Sequence, residues 1–196
     1  SQSNTEESHK QSGRERTVAS PEEQIVCLAC GFCCDGTLFR RARLKKEENG
    51  NLPLWIEAHS LFSQDDGYFD LPCGYFETKC KIYDLKRAFV CSEFRCQLLG
   101  YLNSGRISRD EALQTVSEAR RLRDDLLRHV RRLSGRKDNF CFRDVLSELG
   151  KMQSGPGATF QDQGDLEAFR ARCNIFEALL IRHFRSEKDF DDMVMR

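Results

Sequence analysis

Apolar residues recur at intervals of three and four along the second half of the chain. Between residues 113 and 133 they fall on one face of a helix. The capping box Ser108-Arg-Asp-Glu111 precedes this face and Gly135 follows it. The face consists of Leu113, Val116, Ala119, Leu122, Leu126, Val130 and Leu133. The pattern predicts a long amphipathic helix that begins after Ser108 and ends near Gly135.

Two more helices are predicted nearer to the C-terminus. A shorter one fits NFCFRDVLSELGK, residues 139–151, and a longer one runs from about Asp165 to Arg185. The apolar stripe of the longer helix is Leu166, Phe169, Cys173, Phe176, Leu180 and Phe184. Between these helices SGPGATFQDQG, residues 154–164, predicts a loop, because Pro156 stands between two glycines.

This periodicity is lost in the first half of the chain. Residues 1–22 are polar and carry no apolar repeat, which predicts a disordered tail. Residues 23–103 contain eight of the ten cysteines, and we expect loops and short elements there. The sequence therefore predicts a tail (1–22), a cysteine-rich module (23–103) and a helical region (104–196). The predicted fold class is mainly α with an irregular cysteine-rich region.

Composition and charge narrow the classes of function. Lys plus Arg and Asp plus Glu both number 31, so the formal net charge is zero and the whole chain is not a polyelectrolyte binder. No apolar run approaches the roughly 18 residues that a membrane span needs. The first twenty residues lack the apolar centre of a secretory signal. We therefore expect an intracellular protein of a reducing compartment, cytoplasm or organelle matrix, with no membrane partner.

Eight of the ten cysteines form two groups whose density indicates either metal ligation or disulfides. The first quartet lies in CLACGFCCDG and consists of Cys27, Cys30, Cys33 and Cys34. The second quartet consists of Cys73, Cys80, Cys91 and Cys96. In a reducing compartment such density indicates metal ligation, whereas in an exported chain it would indicate disulfides. We expect all eight to be metal ligands, with disulfides as the alternative.

The adjacent pair in the first quartet suggests how the ligands divide. Neighbouring side chains of an extended chain point in opposite directions, so Cys33 and Cys34 are better placed to serve two centres than one. We expect Cys27, Cys30 and Cys33 to share a centre with one cysteine of the second quartet, and Cys34 to join the other three. Because the module has few apolar periods, a metal site worth about 10 kcal/mol or more would stabilise it. The expected architecture is a metal-stapled N-terminal module packed with the C-terminal helical part.

The spacing also bears on which metal is bound. C-x2-C-x2-C is the spacing that wraps an iron–sulfur cubane, a [4Fe–4S] cluster, whereas four-cysteine sites also suit zinc. Iron–sulfur is favoured, with redox or modification chemistry as its use. The alternative is a zinc-stapled structural module that binds a protein or nucleic-acid partner. No catalytic residue and no cofactor fingerprint is recognised, so enzymatic activity stays open; a cleft lined by His59, Tyr75 or Tyr83 would favour it.

The order of these cysteines resembles that of a known family. CLACGFCC followed by LPCGYF, CKIYDLKR and VCSEF is similar to the CxxCxxCC cysteine-cluster family of YkgJ type, described as a zinc- or iron-chelating domain with eight cysteines. The resemblance covers residues 27–96 and implies that both quartets are the ligands. Members typically read Arg-Pro before the seventh cysteine, whereas this chain has Arg87-Ala88, which implies a looser turn before Cys91. Flagellin lysine N-methylases carry a similar motif, so the resemblance is compatible with an enzyme.

The remaining candidates have simpler interpretations. Cys141 and Cys173 fall on apolar helical faces and are predicted to be core residues. The arginine-rich segment at residues 120–137 suggests an acidic or nucleic-acid partner. Its simpler interpretation is a solvated face whose arginines pair with acidic residues of the same helix, such as Asp124 and Asp125.

Overall fold

The computed structural model describes residues 19–152 and 163–185 of the chain. Helices dominate the described part, and one small sheet lies in the cysteine-rich region, so the fold is mainly α as predicted. In chain order the elements are α1 (Pro21–Cys30), β1 (Arg41–Lys45), a 3-10 turn (Lys46–Glu48), α2 (Leu54–His59), β2 (Ser60–Phe62), β3 (Asp66–Asp70), α3 (Phe89–Glu93), α4 (Gln97–Asn103), α5 (Arg109–Ser134), α6 (Phe142–Met152) and α7 (Gln163–His183).

The longest helix, α5, has the limits that its capping residues predict. The Glu111 N–H donates to the Ser108 hydroxyl at 3.2 Å, and the Ser108 N–H donates to the Glu111 carboxylate at 2.7 Å. Gly135 ends the helix in the left-handed conformation, with φ at 65°. These contacts satisfy backbone groups that a helix end otherwise leaves without partners.

The first helix, α1, begins where the sequence predicts a disordered tail. Ser20 and Glu23 form a capping box, and Pro21 occupies the first helical turn, where its missing N–H costs nothing. The assignment of residues 21 and 22 to the tail is therefore wrong. Residues 1–18 of the predicted tail lie outside the described residues.

One apolar core joins the cysteine-rich region to the C-terminal helices. α1 packs against α4 and α5, and α5 packs against α6 and α7. The core takes Val26 and Phe32 from the first part of the chain and Phe142 and Phe176 from the second. The ring of Phe32, inside the first quartet, lies 5.2 Å from the ring of Phe184. The predicted module and the predicted helical region therefore bury their apolar side chains against each other.

A three-stranded antiparallel sheet, in the order β1-β3-β2, supports the loops of the second quartet. Ala42 of β1 pairs with Phe69 of β3, and Phe69 pairs in turn with Ser60 of β2. A second, smaller core forms on this sheet around Ala42, Phe69 and Ile56. Because β3 ends at Asp70, the sheet fixes the start of the loop that carries the second quartet.

The two C-terminal helices form close to their predicted limits. α6 begins at Phe142, three residues after its predicted start, and α7 spans Gln163–His183. Each member of the predicted stripe of α7 is buried. Most of the loop predicted between these helices lies outside the described residues. No helix within the two described ranges is long and apolar enough to cross a membrane.

A largely buried ionic cluster fastens the loop after the first quartet to these helices. The Glu177 carboxylate of α7 accepts hydrogen bonds from Arg143 at 2.7 and 3.0 Å and also from Arg185. Arg143 donates further to the Thr37 carbonyl at 2.8 Å, and Arg185 donates to the Leu38 carbonyl at 3.3 Å. Arg185 is only 1% exposed. One carboxylate and two guanidinium groups thus hold the backbone that follows the adjacent cysteines.

Candidate metal centre

A cavity of about 100 Å³ lies between α1, the loop after β3, and helices α3 and α4. All eight cysteines of the two quartets line it. Most of its other walls are apolar, including Val26, Leu38, Phe69 and Leu98. The fold therefore brings both quartets to one place, although 38 positions separate Cys34 from Cys73 in the chain (numbers 35–72).

The end of α1 positions the first quartet. Cys27 and Cys30 lie one turn apart on the helix, and Gly31 ends it with φ at 70°. The Cys34 N–H then donates to the Gly31 carbonyl at 2.9 Å, which closes a tight turn. A β-carbon on Gly31 would lie 2.4 Å from the ring of Phe76, so both the backbone conformation and the space require glycine.

Loops and short helices position the second quartet. The Cys73 N–H donates to the Cys34 carbonyl at 2.8 Å, so the backbones of the two quartets are joined directly. Cys80 pairs with Phe76 in an isolated bridge. Cys91 lies within α3, and Cys96 is the residue that caps α4.

The turn before Cys91 is not loosened by the absence of proline. Ala88 caps α3 with φ at −59° and ψ at 150°. The ring of proline fixes φ near −65°, so Ala88 has the backbone conformation that proline would impose. The looser turn implied by Arg87-Ala88 is therefore wrong, and Cys91 is held in place.

Two turns of similar sequence direct backbone N–H groups at sulfur, and of their glycines Gly31 has positive φ whereas Gly74 does not. The Phe32 N–H hydrogen-bonds to the Cys30 thiol, and the Tyr75 N–H hydrogen-bonds to the Cys73 thiol. Each turn reads cysteine, glycine, aromatic residue, as Cys30-Gly31-Phe32 and Cys73-Gly74-Tyr75. A hydrogen bond to sulfur favours the thiolate, the form that binds metals. The repeated order of cysteine, glycine and aromatic residue is visible in the sequence. It indicates which sulfurs receive a backbone N–H, which the spacing of the cysteines alone does not reveal.

Electrostatic coupling associates Cys96 with two members of the first quartet, Cys30 and Cys33. Burial is the main cause that raises the pKa values of Cys30 and Cys33, and for both thiols the next cause is Cys96. Cys27 contributes to both shifts as well, and its neighbour Cys34 contributes to that of Cys33. We refer to these four cysteines as the first set: Cys27, Cys30, Cys33 and Cys96.

The other adjacent cysteine belongs to a different neighbourhood. Burial raises the pKa of Cys34, and Cys91, Cys80, Cys27 and Cys73 raise it further. Burial likewise raises the pKa of Cys91 to about 12, with Cys73 and Cys80 as the next causes. We refer to the following four cysteines as the second set: Cys34, Cys73, Cys80 and Cys91. Cys27 lies close to both sets, since it also couples to Cys80.

The thiols meet without forming a ligand set as they stand. Within residues 19–152 and 163–185, no group of three or more His, Cys, Asp or Glu side chains is arranged so that it could hold a metal ion. All ten cysteines are free thiols. Burial raises the pKa values of Cys30, Cys33, Cys34 and Cys91, which favours the protonated thiol and makes these four groups poor nucleophiles. The donor chemistry therefore fits a thiophilic metal, whereas the sulfur positions do not by themselves define a centre.

The other sequence candidates lie away from the thiols or in the core. His59 stacks on Trp55 at 4.2 Å and contacts the Trp55 carbonyl at 2.7 Å through Nδ1, so it is not at the cavity. The hydroxyl of Tyr75 accepts the Trp55 N–H at 3.0 Å. Cys141 and Cys173 are buried in the core, as predicted.

The arginines of α5 are largely engaged within the chain. Arg120 donates to the Ala29 carbonyl at 2.7 Å, next to the first quartet. Arg123 pairs with Asp35, and Arg128 pairs with an aspartate of its own helix at 2.8 Å. The pair of Arg128 agrees with the simpler interpretation of the segment, whereas Arg120 and Arg123 contact residues outside α5 and are not part of a solvated face. An acidic or nucleic-acid partner stays a prediction.

An open cleft of about 530 Å³ adjoins the thiol cavity. Cys27, Tyr83, Arg87 and Cys91 are among the residues that line both. Cys91 is the exposed cysteine of the ten. Of the cleft residues suggested by the sequence, Tyr83 is present, whereas Arg87 was not anticipated. Its role depends on which groups surround it in space, and the sequence does not reveal them.

Comparison with known proteins identifies no relative. No family model, no curated protein and no solved structure matches the chain. The resemblance to the YkgJ-type cysteine-cluster family therefore stays a prediction. The basis for assigning a function is the geometry of the thiols and of the cleft beside them.

Proposed function

We propose that this chain is a metal-binding protein whose eight clustered cysteines hold two four-thiolate centres. The observation that carries the proposal is the convergence of both quartets on one otherwise largely apolar cavity. The first set would hold one centre and the second set the other. Cys33 and Cys34 would then serve different centres, and Cys96 would be the second-quartet member that joins the first set.

The physical reason lies in the cost of burying thiols together. Aliphatic side chains fill an apolar core without groups that oxidise, so packing alone gives no reason for eight adjacent cysteines. Burial and mutual repulsion both oppose the thiolate form here, as the raised pKa values of Cys30, Cys33 and Cys34 show. A thiophilic cation reverses both effects, because it displaces the protons and neutralises the charge.

An iron–sulfur cluster is the favoured occupant. The C-x2-C-x2-C run of the first set has the spacing of cubane ligands. Such a cluster supplies one-electron chemistry when bound. The chain would supply its thiolates, the N–H groups of Phe32 and Tyr75 at two sulfurs, and apolar walls that keep water away.

Zinc is the alternative occupant, with a structural function. Four cysteines per set provide the closed, all-protein coordination of structural zinc. The chain would then be an interaction module that presents its surface to a protein or nucleic acid. The resemblance to a family described as zinc- or iron-chelating supports both occupants equally.

The test is metal analysis with a visible absorption spectrum, on protein purified without oxygen. We expect brown protein that contains iron and acid-labile sulfide. Colourless protein with about two zinc ions per chain would select the alternative. A chain with no metal and no reactive thiols would refute both and indicate disulfides.

A further inference from the structure

The cleft beside the thiol cavity contains the guanidinium group of Arg87. Arg87 is half-buried. It donates to the Cys91 carbonyl at 3.3 Å and lies over the ring of Tyr83, 4.3 Å from the centroid. In the part of the chain that the structure describes, Arg87 forms no ion pair. A partly desolvated cation of this kind favours an anion from outside the protein.

Of the other charged groups of the cleft, Glu47, Asp84 and Glu93 are carboxylates, whereas the following groups have contacts within the protein. Arg95 pairs with Glu23 at 2.9 Å. Both oxygens of Glu48 accept backbone N–H groups, at 2.7 and 2.9 Å. The Lys45 ammonium lies over an aromatic ring at 3.0 Å, and Lys86 donates to an asparagine side chain. Arg87 differs from the two lysines in its planar guanidinium, whose paired N–H donors match the two oxygens of a carboxylate or phosphate, so it is the best candidate of the cleft to bind an external oxyanion.

Arg87 also lies beside an exposed cysteine residue, Cys91. The carbonyl that it contacts belongs to Cys91, the exposed cysteine among the ten. Cys91 lines both the thiol cavity and the cleft. A molecule held by Arg87 in the cleft would therefore lie against the second set.

We propose that the cleft binds a small ligand bearing a carboxylate or phosphate group, that Arg87 holds this group, and that the ligand lies beside the Cys91 thiol. A guanidinium stacked on tyrosine is pre-organised and presents paired N–H donors that match the oxygens of either group. The volume of about 530 Å³ lies in the range of small-molecule sites. The proposal rests on the proposed function in one respect, since it makes Cys91 the exposed ligand of the second centre.

Affinity labelling of Cys91 tests the proposal on the full chain as purified. Iodoacetate and iodoacetamide both transfer their carbon to a thiolate with loss of iodide, but only iodoacetate carries a carboxylate. Trypsin releases Cys91 in AFVCSEFR, residues 88–95, which contains no other cysteine. Mass spectrometry measures the rate at which each reagent labels Cys91, and the rate with iodoacetate is divided by the rate with iodoacetamide. This ratio for the native chain is then divided by the same ratio for the chain unfolded in urea, which removes the intrinsic difference between the reagents.

We expect this normalised ratio to favour iodoacetate in the native chain. Arg87→Gln should lower it about tenfold, which corresponds to one hydrogen bond to a charged group. Arg87→Lys should retain part of the preference, because it keeps the charge without the paired donors. Lys81→Gln is the matched control, since Lys81 is exposed, lies outside the cleft and loses the same charge.

Competition identifies which oxyanion is preferred. Inorganic phosphate and glutarate are added separately at constant ionic strength, and each should slow the labelling of Cys91 by iodoacetate in the native chain. The anion that acts at the lower concentration defines the class of ligand. A ratio near one, or a preference that survives Arg87→Gln, would overturn the proposal. Where the raised pKa or a bound metal makes Cys91 resist both reagents, calorimetric titration of the parent and Arg87→Gln chains with phosphate and glutarate decides instead, and equal affinities would overturn the proposal.

Metal content measured on the same samples separates this proposal from the proposed function. A preference for iodoacetate that depends on Arg87, in a chain that binds no metal, supports the proposed ligand site in the cleft and refutes the proposed metal centres. Normal metal content without that preference refutes the proposed ligand site in the cleft and leaves the proposed metal centres standing.

Discussion

Cys33 and Cys34 are neighbours in sequence but have different neighbours in space. Cys33 couples most strongly to Cys96 among the cysteines, whereas Cys34 couples most strongly to Cys91. Alanine at either position should therefore remove a different centre, and each variant should retain about half of the metal. Metal content per chain, with absorption spectra of both variants, provides the measurement.

The control for this pair is Cys173→Ala, which removes a buried thiol that lies in the core rather than at the cavity. It should keep its full metal content. Loss of all metal in both cysteine variants would show that the adjacent thiols share one centre.

Gly31 and Gly50 give a matched test of the turn in the first quartet. Both have positive φ, at 70° and 76°, but only Gly31 faces a close neighbour, the ring of Phe76. Gly50→Ala should cost about 1 kcal/mol for the backbone conformation alone. Gly31→Ala should cost more, because the new methyl group also displaces the ring, and it should lower the metal content.

Chemical denaturation of the two metal-loaded variants measures this difference directly. Equal losses of unfolding free energy would mean that the Phe76 ring moves aside without cost. Gly31 would then be required only for its conformation.

At the scale of elements, the ionic cluster on α7 should be more important for stability than any exposed ion pair. Glu177→Leu leaves the guanidinium groups of Arg143 and Arg185 without their shared carboxylate. The expected loss is about 3–5 kcal/mol, the usual penalty for an uncompensated buried charge. Asp70→Asn breaks the exposed pair with Arg41, in which both side chains are more than two-fifths exposed, and should cost at most about 1 kcal/mol.

Urea denaturation midpoints of these two variants and the parent chain give the comparison. Similar midpoints for Glu177→Leu and Asp70→Asn would show that water reaches the cluster freely. The loop at Thr37 and Leu38 would then be held by its other contacts.

The cap of α3 allows a substitution that should stabilise the chain. Ala88 already has φ at −59°, so proline there would restrict the unfolded chain without straining the folded one. Ala88→Pro should raise the unfolding free energy by about 0.4–1 kcal/mol and leave the metal content unchanged. Thermal denaturation and metal analysis test both parts, and a fall in stability would show that the Ala88 N–H is needed.

The sequence predicts the helices well because their signals are local. α5 combines a capping box, a long apolar face and a terminal glycine, and its observed limits match. α1 carries the same box at Ser20 and Glu23, but the polar residues before it hide the helix. The strands are three to five residues long, and their alternation is too short to be distinguished from that of loops.

For the whole molecule, the eight cysteines can be recognised from spacing, but their arrangement cannot. Which member of the second quartet joins the first set depends on where α4 begins, and only the fold places Cys96 there. Arg87 is less predictable still, because its importance comes from the fact that it forms no ion pair with any described residue. Such a property belongs to the folded chain and leaves no pattern in the sequence.

The core contact between Phe32 and Phe184 has a consequence for folding during synthesis on the ribosome. Ribosomes add about 5–20 residues per second, and Phe184 lies 88 positions after Cys96, the last cysteine of the quartets. Every clustered thiol is thus synthesised several seconds before the aromatic ring that covers Phe32. A metal donor can meet the nascent cysteines during that interval, so centre assembly would precede closure by the final helix.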